Sequence, residues 1–230
     1  MSFGQNLQFL RKMRNKMTQE ELAEKMGVSR QTVSKWELDV VYPELNKLVE
    51  LCNLFSCSLD QIVREDMNVS DEAYSDIRVE WVEPFRYIRY AVISMEPEED
   101  AIDHVNKWAK ALHIENPQII GWDFPVLSQE QINVFNMHGY AAALILPEGI
   151  KEPGNTAEVL YQERQKYIVI TIKEPHIAPF RLIPGAYKAL LTYMKTNGVK
   201  GKCEKSLIDC FEKEYDIDGV NYMDVYIAIE

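Results

Sequence analysis

The 230-residue chain has no apolar run long enough to cross a bilayer. The longest, "YAAALIL" at 140–146, falls far short of the roughly 20 residues a membrane helix requires. Its first residues, "MSFGQNLQFLRK", lack the basic start and apolar core of a secretory signal, so a cytoplasmic protein with no membrane partner is expected. Cysteine is scarce. Cys52, Cys57, Cys203 and Cys210 form no C-x-x-C pair and the four histidines are scattered, which argues against structural zinc or a disulfide framework and predicts reduced thiols. Positive charge is also short, with 25 Lys and Arg against 36 Asp and Glu and a net charge of −11. Such a balance disfavours general binding to nucleic acid, but the deficit is uneven. Residues 1–66 hold nine Lys/Arg and ten Asp/Glu, whereas the remaining 164 hold 16 and 26. The first part is nearly neutral and free to approach phosphate.

That first part reads as five short helices. Phe3, Leu7, Leu10 and Met13 form a helical stripe. "TQEELAEKM" at 18–26 opens with Thr18 as N-cap and Glu21 three residues on, a capping box, and Gly27 ends it in the manner of a C′ glycine. Ser29 caps "SRQTVSKWE". "PELNKLVELCNLF" at 43–55 is expected to turn Leu45, Leu48, Leu51 and Leu54 inward, and Ser58 caps "SLDQIV". Two short helices joined by a tight turn at Gly27 predict a helix-turn-helix. On the second, Val33 and Trp36 fall on the core side while Arg30, Gln31, Ser34 and Lys35 fall on the other. Arg pairs bidentately with guanine and Gln with adenine, and a hydroxyl or Lys reaches bases or phosphate. Thr18 and Gln19, at the preceding helix start, suit a phosphate clamp.

The stretches "LRKMRNKMTQEELAEKMGVSRQTVSKWE" and "YPELNKLVELCNLFSCSLDQIV", with the spacing between them, strongly resemble the phage-repressor-like (Cro/repressor, XRE) helix-turn-helix family. The resemblance implies double-stranded operator DNA as partner, with Arg30, Gln31 and Lys35 at base edges and Gln19, Thr32 and Ser34 on phosphate or mixed contacts. It departs at Asp39, where the family usually has Gly; Asp tolerates a left-handed backbone better than most residues, so the loop is expected to keep its course.

Residues 67–76 are acidic and poor in apolar residues and read as a linker. From 77 the pattern turns to strands: "IRVEWVEPF", "RYIRYAVIS", "QIIGWDF", "GYAAALIL", "KYIVITIK", "LIDCFEKEYD" and "YMDVYIAI", with helices at 97–114 and 183–198. Setting "YAVIS" on "YIVIT" and "YAAALIL" on "YMDVYIA" gives offsets of 77 and 82 residues, which points to a duplicated βαββ unit. The expected fold class is therefore α+β in two domains: an all-α five-helix head at 1–66, a linker at 67–76, and an antiparallel sheet domain at 77–230.

Alternation assigns the faces. Ile168, Ile170 and Ile172, with Met223, Val225, Ile227 and Ile229, are expected under a helix, leaving Tyr167, Tyr222, Asp224 and Tyr226 on the open face. In "FEKEYD" Glu212 and Glu214 share a face opposite Phe211 and Tyr215; with Phe211 under the helix, both glutamates join those tyrosines in a groove. An aromatic sheet face alone also suits a protein or peptide partner.

"KYIVITIKEP", "LIPGAYKALLTYMKTNG", "FEKEY" and "MDVYIAIE", with "GWDFP" as first-half counterpart, resemble the GyrI-like effector-binding domains of multidrug-responsive regulators. In that family a carboxylate and aromatic rings bind lipophilic cations, which implies a small-molecule effector held by Glu212 or Glu214 with Tyr167, Tyr222, Tyr226, Trp122 and Tyr140. The family places its Glu two residues before a Tyr; Lys213 holds that place here, so both glutamates stay candidates. No serine, cysteine or histidine spacing announces a catalytic group, and no cofactor or enzymatic activity is expected. Some GyrI-like relatives are hydrolases, which keeps an enzymatic groove as the alternative. A homodimer is expected, because regulators of this type read half-sites about one helical turn apart.

Overall fold

The computed structural model describes residues 2–65, 67, 73–75, 77–124, 127–150, 157–204 and 206–230. Most of the linker expected at 67–76 lies outside them. The chain divides into two compact units, one built from Met1–Tyr74, Ala178–Gly201 and Glu230, the other from Ser75–Ile177 and Lys202–Ile229.

Five helices open the first unit: α1 (Phe3–Met13), α2 (Gln19–Met26), α3 (Arg30–Glu37), α4 (Leu45–Phe55) and α5 (Leu59–Arg64). Ser2, Thr18 and Ser58 each close a capping box, and Ser29 caps α3, so orphan N–H groups at four of the five helix starts have local acceptors. Gly27 ends α2 at φ +63°. Leu7, Leu10, Leu22, Val33, Leu51, Phe55 and Ile62 are buried in one core. Gly4 is required where α1 meets the end of α3, since a Cβ there would lie 2.5 Å from the Glu37 carbonyl oxygen. Asp39 does adopt the left-handed backbone, at φ +55°, and its carboxylate accepts from the Gly4 N–H at 2.8 Å, capping α1 from across the fold. One expectation fails. Leu45 is exposed, because at the first helical position of α4 it stands one turn outside the packed stripe of Leu48, Leu51, Cys52 and Phe55.

Helix α8 (Pro179–Asn197) belongs to this same unit. Its Thr196 hydroxyl donates to the Phe55 carbonyl and its Asn197 amide to the Met13 carbonyl. It starts four residues before the helix read at 183, with Pro179 in its first turn, where the missing N–H costs nothing.

The second unit is an eight-stranded antiparallel sheet of β1 (Arg78–Val82), β2 (Phe85–Ser94), β3 (Gln118–Asp123), β4 (His138–Leu146), β5 (Val159–Gln162), β6 (Gln165–Lys173), β7 (Cys210–Ile217) and β8 (Val220–Ala228). The spatial order is β1-β6-β8-β7-β3-β4-β2-β5. The triplets β2, β3, β4 and β6, β7, β8 pair in the same internal order and meet at the sheet centre, where Gly121 of β3 faces Glu212 of β7. Each short strand crosses to the other triplet: β1 pairs with β6 and β5 with β2. Helix α6 (Pro97–Ala111) lies on one face, burying Ala101, Val105 and Ala109 against Ile88, Ala142 and Leu144. A short helix α7 (Gln129–Asn133) precedes β4.

Candidate functional site

Two places concentrate polar side chains that folding alone does not require. The first is α3. Arg30, Gln31 and Lys35 are exposed, Thr32 and Ser34 half-buried, and Val33 and Trp36 buried, so the helix offers one polar face from a fixed apolar base. The Thr32 hydroxyl lies 2.9 Å from that of Ser29, which ties it to the helix cap. Thr18 caps α2, and its backbone and side-chain bonds hold the Glu21 carboxyl below its usual range. The Gln19 amide donates to Glu37 at 2.8 Å.

That bond belongs to a network that sequence patterning did not reveal. Arg11 donates through Nε and Nη2 to the two oxygens of Glu37 at 2.6 and 3.1 Å, and through Nη1 to the Met17 carbonyl. The pair is buried, with side-chain exposures of 10% and 2%. It fixes the end of α3, the start of α2 and α1 to one another. The signal was present: Arg11 stands i+4 from Leu7, on the apolar stripe, where a cation must find an anion.

The second place is the α6 face of the sheet centre. Directly paired residues share a face, so the register decides which side chains meet. Glu212 pairs with Val225 and with Gly121, and Glu214 with Met223. Asp123 pairs with Tyr140. The Tyr140 hydroxyl donates to Glu212 Oε2 at 3.4 Å, and it lies over Gly121, where an added Cβ would fall 2.0 Å away. Glycine at 121 is thus what admits the Tyr140 ring. Glu98, in the first turn of α6, is raised above its usual range by burial and then by Glu214; burial likewise raises Asp123. The Tyr140 phenol is pushed well above its ordinary value by burial, then by Glu212, Glu98, Asp123 and Glu214. His176 stands 3.1 Å from Glu214. A partly buried carboxyl group whose ionisation neighbouring acids oppose, as Glu214 and Asp123 oppose that of Glu98, is stabilised as an anion by an incoming cation.

The tyrosines expected beside these glutamates are elsewhere. Phe211 pairs with Tyr226 and stacks on it with ring centroids 4.3 Å apart, on the face away from α6. Tyr167, Tyr226 and Trp122 pack into a core on that face, and Tyr222 stacks on Tyr215. Phe211 does not lie under the helix, because the β7–β8 register puts it opposite Tyr226 rather than Val225. Asp224 on the same face is buried and held by Arg78, Thr171, Tyr215 and Tyr226, which makes it a structural anion. Of the seven expected ligand residues, the structure therefore brings together Glu212, Glu214 and Tyr140. It adds Glu98, Asp123 and His176, which no spacing along the chain marks.

Residues 7–62 match the Helix-turn-helix family model. The HTH-type transcriptional activator BcrR of Enterococcus faecalis is 41% identical over 63 residues, 27% of this chain and 30% of that protein. The uncharacterized HTH-type transcriptional regulator YqaE of Bacillus subtilis is 32% identical over 66 residues, 29% of this chain and 56% of that protein. The chain thus spans about a third to a half of the length of the curated relatives it matches. Among solved structures, the EcmrR–DNA complex aligns over 91% of this chain and 97% of that one, at 9% identity and a TM-score of 0.48. SAV2435 bound to tetraphenylphosphonium aligns over 68% and 94%, at 12% identity and a TM-score of 0.41. The match over 7–62, the capped α2–turn–α3 geometry and the exposed polar face of α3 agree: this segment of the chain is a helix-turn-helix domain.

Proposed function

We propose that the protein is a ligand-responsive transcription regulator. The head at 1–66 reads double-stranded operator DNA through Arg30, Gln31 and Lys35, with Thr18, Gln19, Thr32 and Ser34 at the phosphates. The region 77–230 acts as a GyrI-like sensor of a lipophilic cation, and the protein works as a homodimer. The observation that carries the sensor reading is the convergence of Glu212, Glu214, Glu98 and Asp123 around the Tyr140 hydroxyl on one sheet face. A positive ligand there gains from this acidic set, in which Glu98 is now opposed by Glu214 and Asp123, and Tyr140 adds a ring for cation–π contact of roughly 0.5–2 kcal/mol. Glu212 is the principal carboxylate, being central in the sheet and bonded to Tyr140, while Glu214 is already beside His176. Regulation follows if the cation binds the DNA-competent and DNA-incompetent forms with different affinity. Helix α8 packs on the head while both its ends continue into strand-unit chain, which supplies a covalent route for that coupling.

Calorimetry with tetraphenylphosphonium tests the reading. Glu212→Gln is expected to weaken binding by about 1–3 kcal/mol, the scale of a single interaction with a charged group. Equal binding to wild type and variant, or equal binding of a neutral aromatic of the same size, refutes the carboxylate's role and the effector class.

A further inference from the structure

We propose that Cys52 and Cys57, at the end of α4, form a two-sulfur site for copper(I), a soft monovalent cation. Ser56 adopts the left-handed backbone at φ +53°. Its N–H donates to the Asn53 carbonyl at 3.4 Å, and that of Cys57 to the Cys52 carbonyl at 3.0 Å. This double closure of a helix end brings the side chain just past the stop against one in the last turn. Both positions are cysteine here, and their thiols hydrogen-bond to each other. The turn itself asks only for an apolar contact at that place, so a pair of sulfurs exceeds what it requires.

The surroundings suit a metal that two sulfurs satisfy. Cys52 is buried and Cys57 half-buried against the core of the head, so the pair is dry on one side and reachable from the other. Among the described residues, no group of three His, Cys, Asp or Glu stands together to hold a metal ion. Structural zinc takes four ligands, and calcium and magnesium take oxygen. Thiolates favour copper(I), which two opposed sulfurs satisfy. Binding forms two Cu–S bonds, breaks two S–H bonds and releases two protons to solvent, with no change of oxidation state. The resulting complex carries one negative charge, and the Lys195 ammonium of α8 acts on Cys57 with the opposite sign. A divalent soft ion gives a neutral complex and leaves that match unused.

The same turn is where α8 is fastened, since the Thr196 hydroxyl donates to the Phe55 carbonyl at 3.2 Å. A metal bridge from residue 52 to residue 57 therefore stiffens the seat of α8 in the head. It gives the protein a second input, separate from the carboxylates of the strand unit.

Anaerobic titration of the reduced full chain with acetonitrile-stabilised copper(I), against the chromophoric chelator bathocuproine disulfonate, tests the site. Wild type is expected to withdraw one copper per chain, with two sulfur neighbours in its X-ray absorption spectrum. Cys57→Val and Cys52→Ala keep the apolar contact of the turn. Each is expected to weaken retention by roughly a hundredfold or more, beyond the range that outer-shell changes produce, with helical circular dichroism unchanged. Cys203→Ser with Cys210→Ser, which removes the chain's other two thiols, is expected to leave retention as in wild type. A wild type that takes no copper from the chelator, folded 52 and 57 variants that retain it equally, loss of copper in the 203/210 variant, or a coordination sphere without two sulfurs overturns the assignment.

Discussion

Glu37→Gln puts the architecture of the head to a quantitative test. The glutamate is almost wholly buried, takes two bonds from Arg11 and one from Gln19, and lies at the last helical position of α3. Replacement by Gln keeps the volume but removes the charge. Arg11 then stays buried with the Met17 carbonyl and one neutral amide oxygen as acceptors. Breaking one side of a buried pair costs about 3–5 kcal/mol, because the remaining ion is desolvated and uncompensated. That is a large share of the stability of a domain this small. Replacing both partners with apolar residues of similar size, Arg11→Met with Glu37→Leu, removes the desolvation penalty along with the attraction and is expected to cost far less. Urea unfolding followed by helical circular dichroism measures both variants, and their difference is the informative quantity. The reasoning is refuted if Glu37→Gln costs under about 1 kcal/mol, or if the double replacement costs as much as the single one. Because the same carboxylate orients Gln19, the single variant is also expected to weaken DNA binding under conditions where it remains folded.

Arg30→Ala and Gln31→Ala are each expected to lose about 1–3 kcal/mol of operator affinity and to relax base preference at one position per half-site; footprinting that shows unchanged preference in both removes α3 as the reader. Gly121→Ala forces a Cβ into the Tyr140 hydroxyl, so it is expected to displace that ring and weaken tetraphenylphosphonium binding at least fivefold in calorimetry; unchanged affinity refutes the role given to that ring. Glu98 and Asp123 titrate above the ordinary carboxylate range, so they take up protons as pH falls through that raised window and surrender their attraction for a cation. Cation affinity is therefore expected to rise with pH across the window and level off above it; the same raised values mean that ionising these acids costs native stability as pH rises there. Isothermal titration at a series of pH values distinguishes this from a pH-independent site.

Most of the head follows from local rules. Capping residues at 2, 18, 29 and 58, glycine at 27 and the stripe through Leu7, Leu10, Leu51 and Phe55 act over three or four neighbours, and such signals survive without knowledge of the rest of the chain. Alternation likewise marked seven of the eight strands and the grouping of Glu212 with Glu214. It did not reveal β5, whose four residues are too few for a period to show, nor the exchange of β1 and β5 between the two triplets. Face was the larger miss. Alternation separates Phe211 from Glu212 but cannot say which of them meets α6; only the pairing of Phe211 with Tyr226 and of Glu212 with Gly121 decided that. Nothing local links Glu98, Asp123 and His176 to Glu214, or Arg11 to Glu37, because residues far apart in the chain become neighbours only when strand register and helix packing bring them together. What each segment is could be read from its own residues. Which charged groups share a site depended on the folded chain, since register acts at a distance that no spacing along the sequence records.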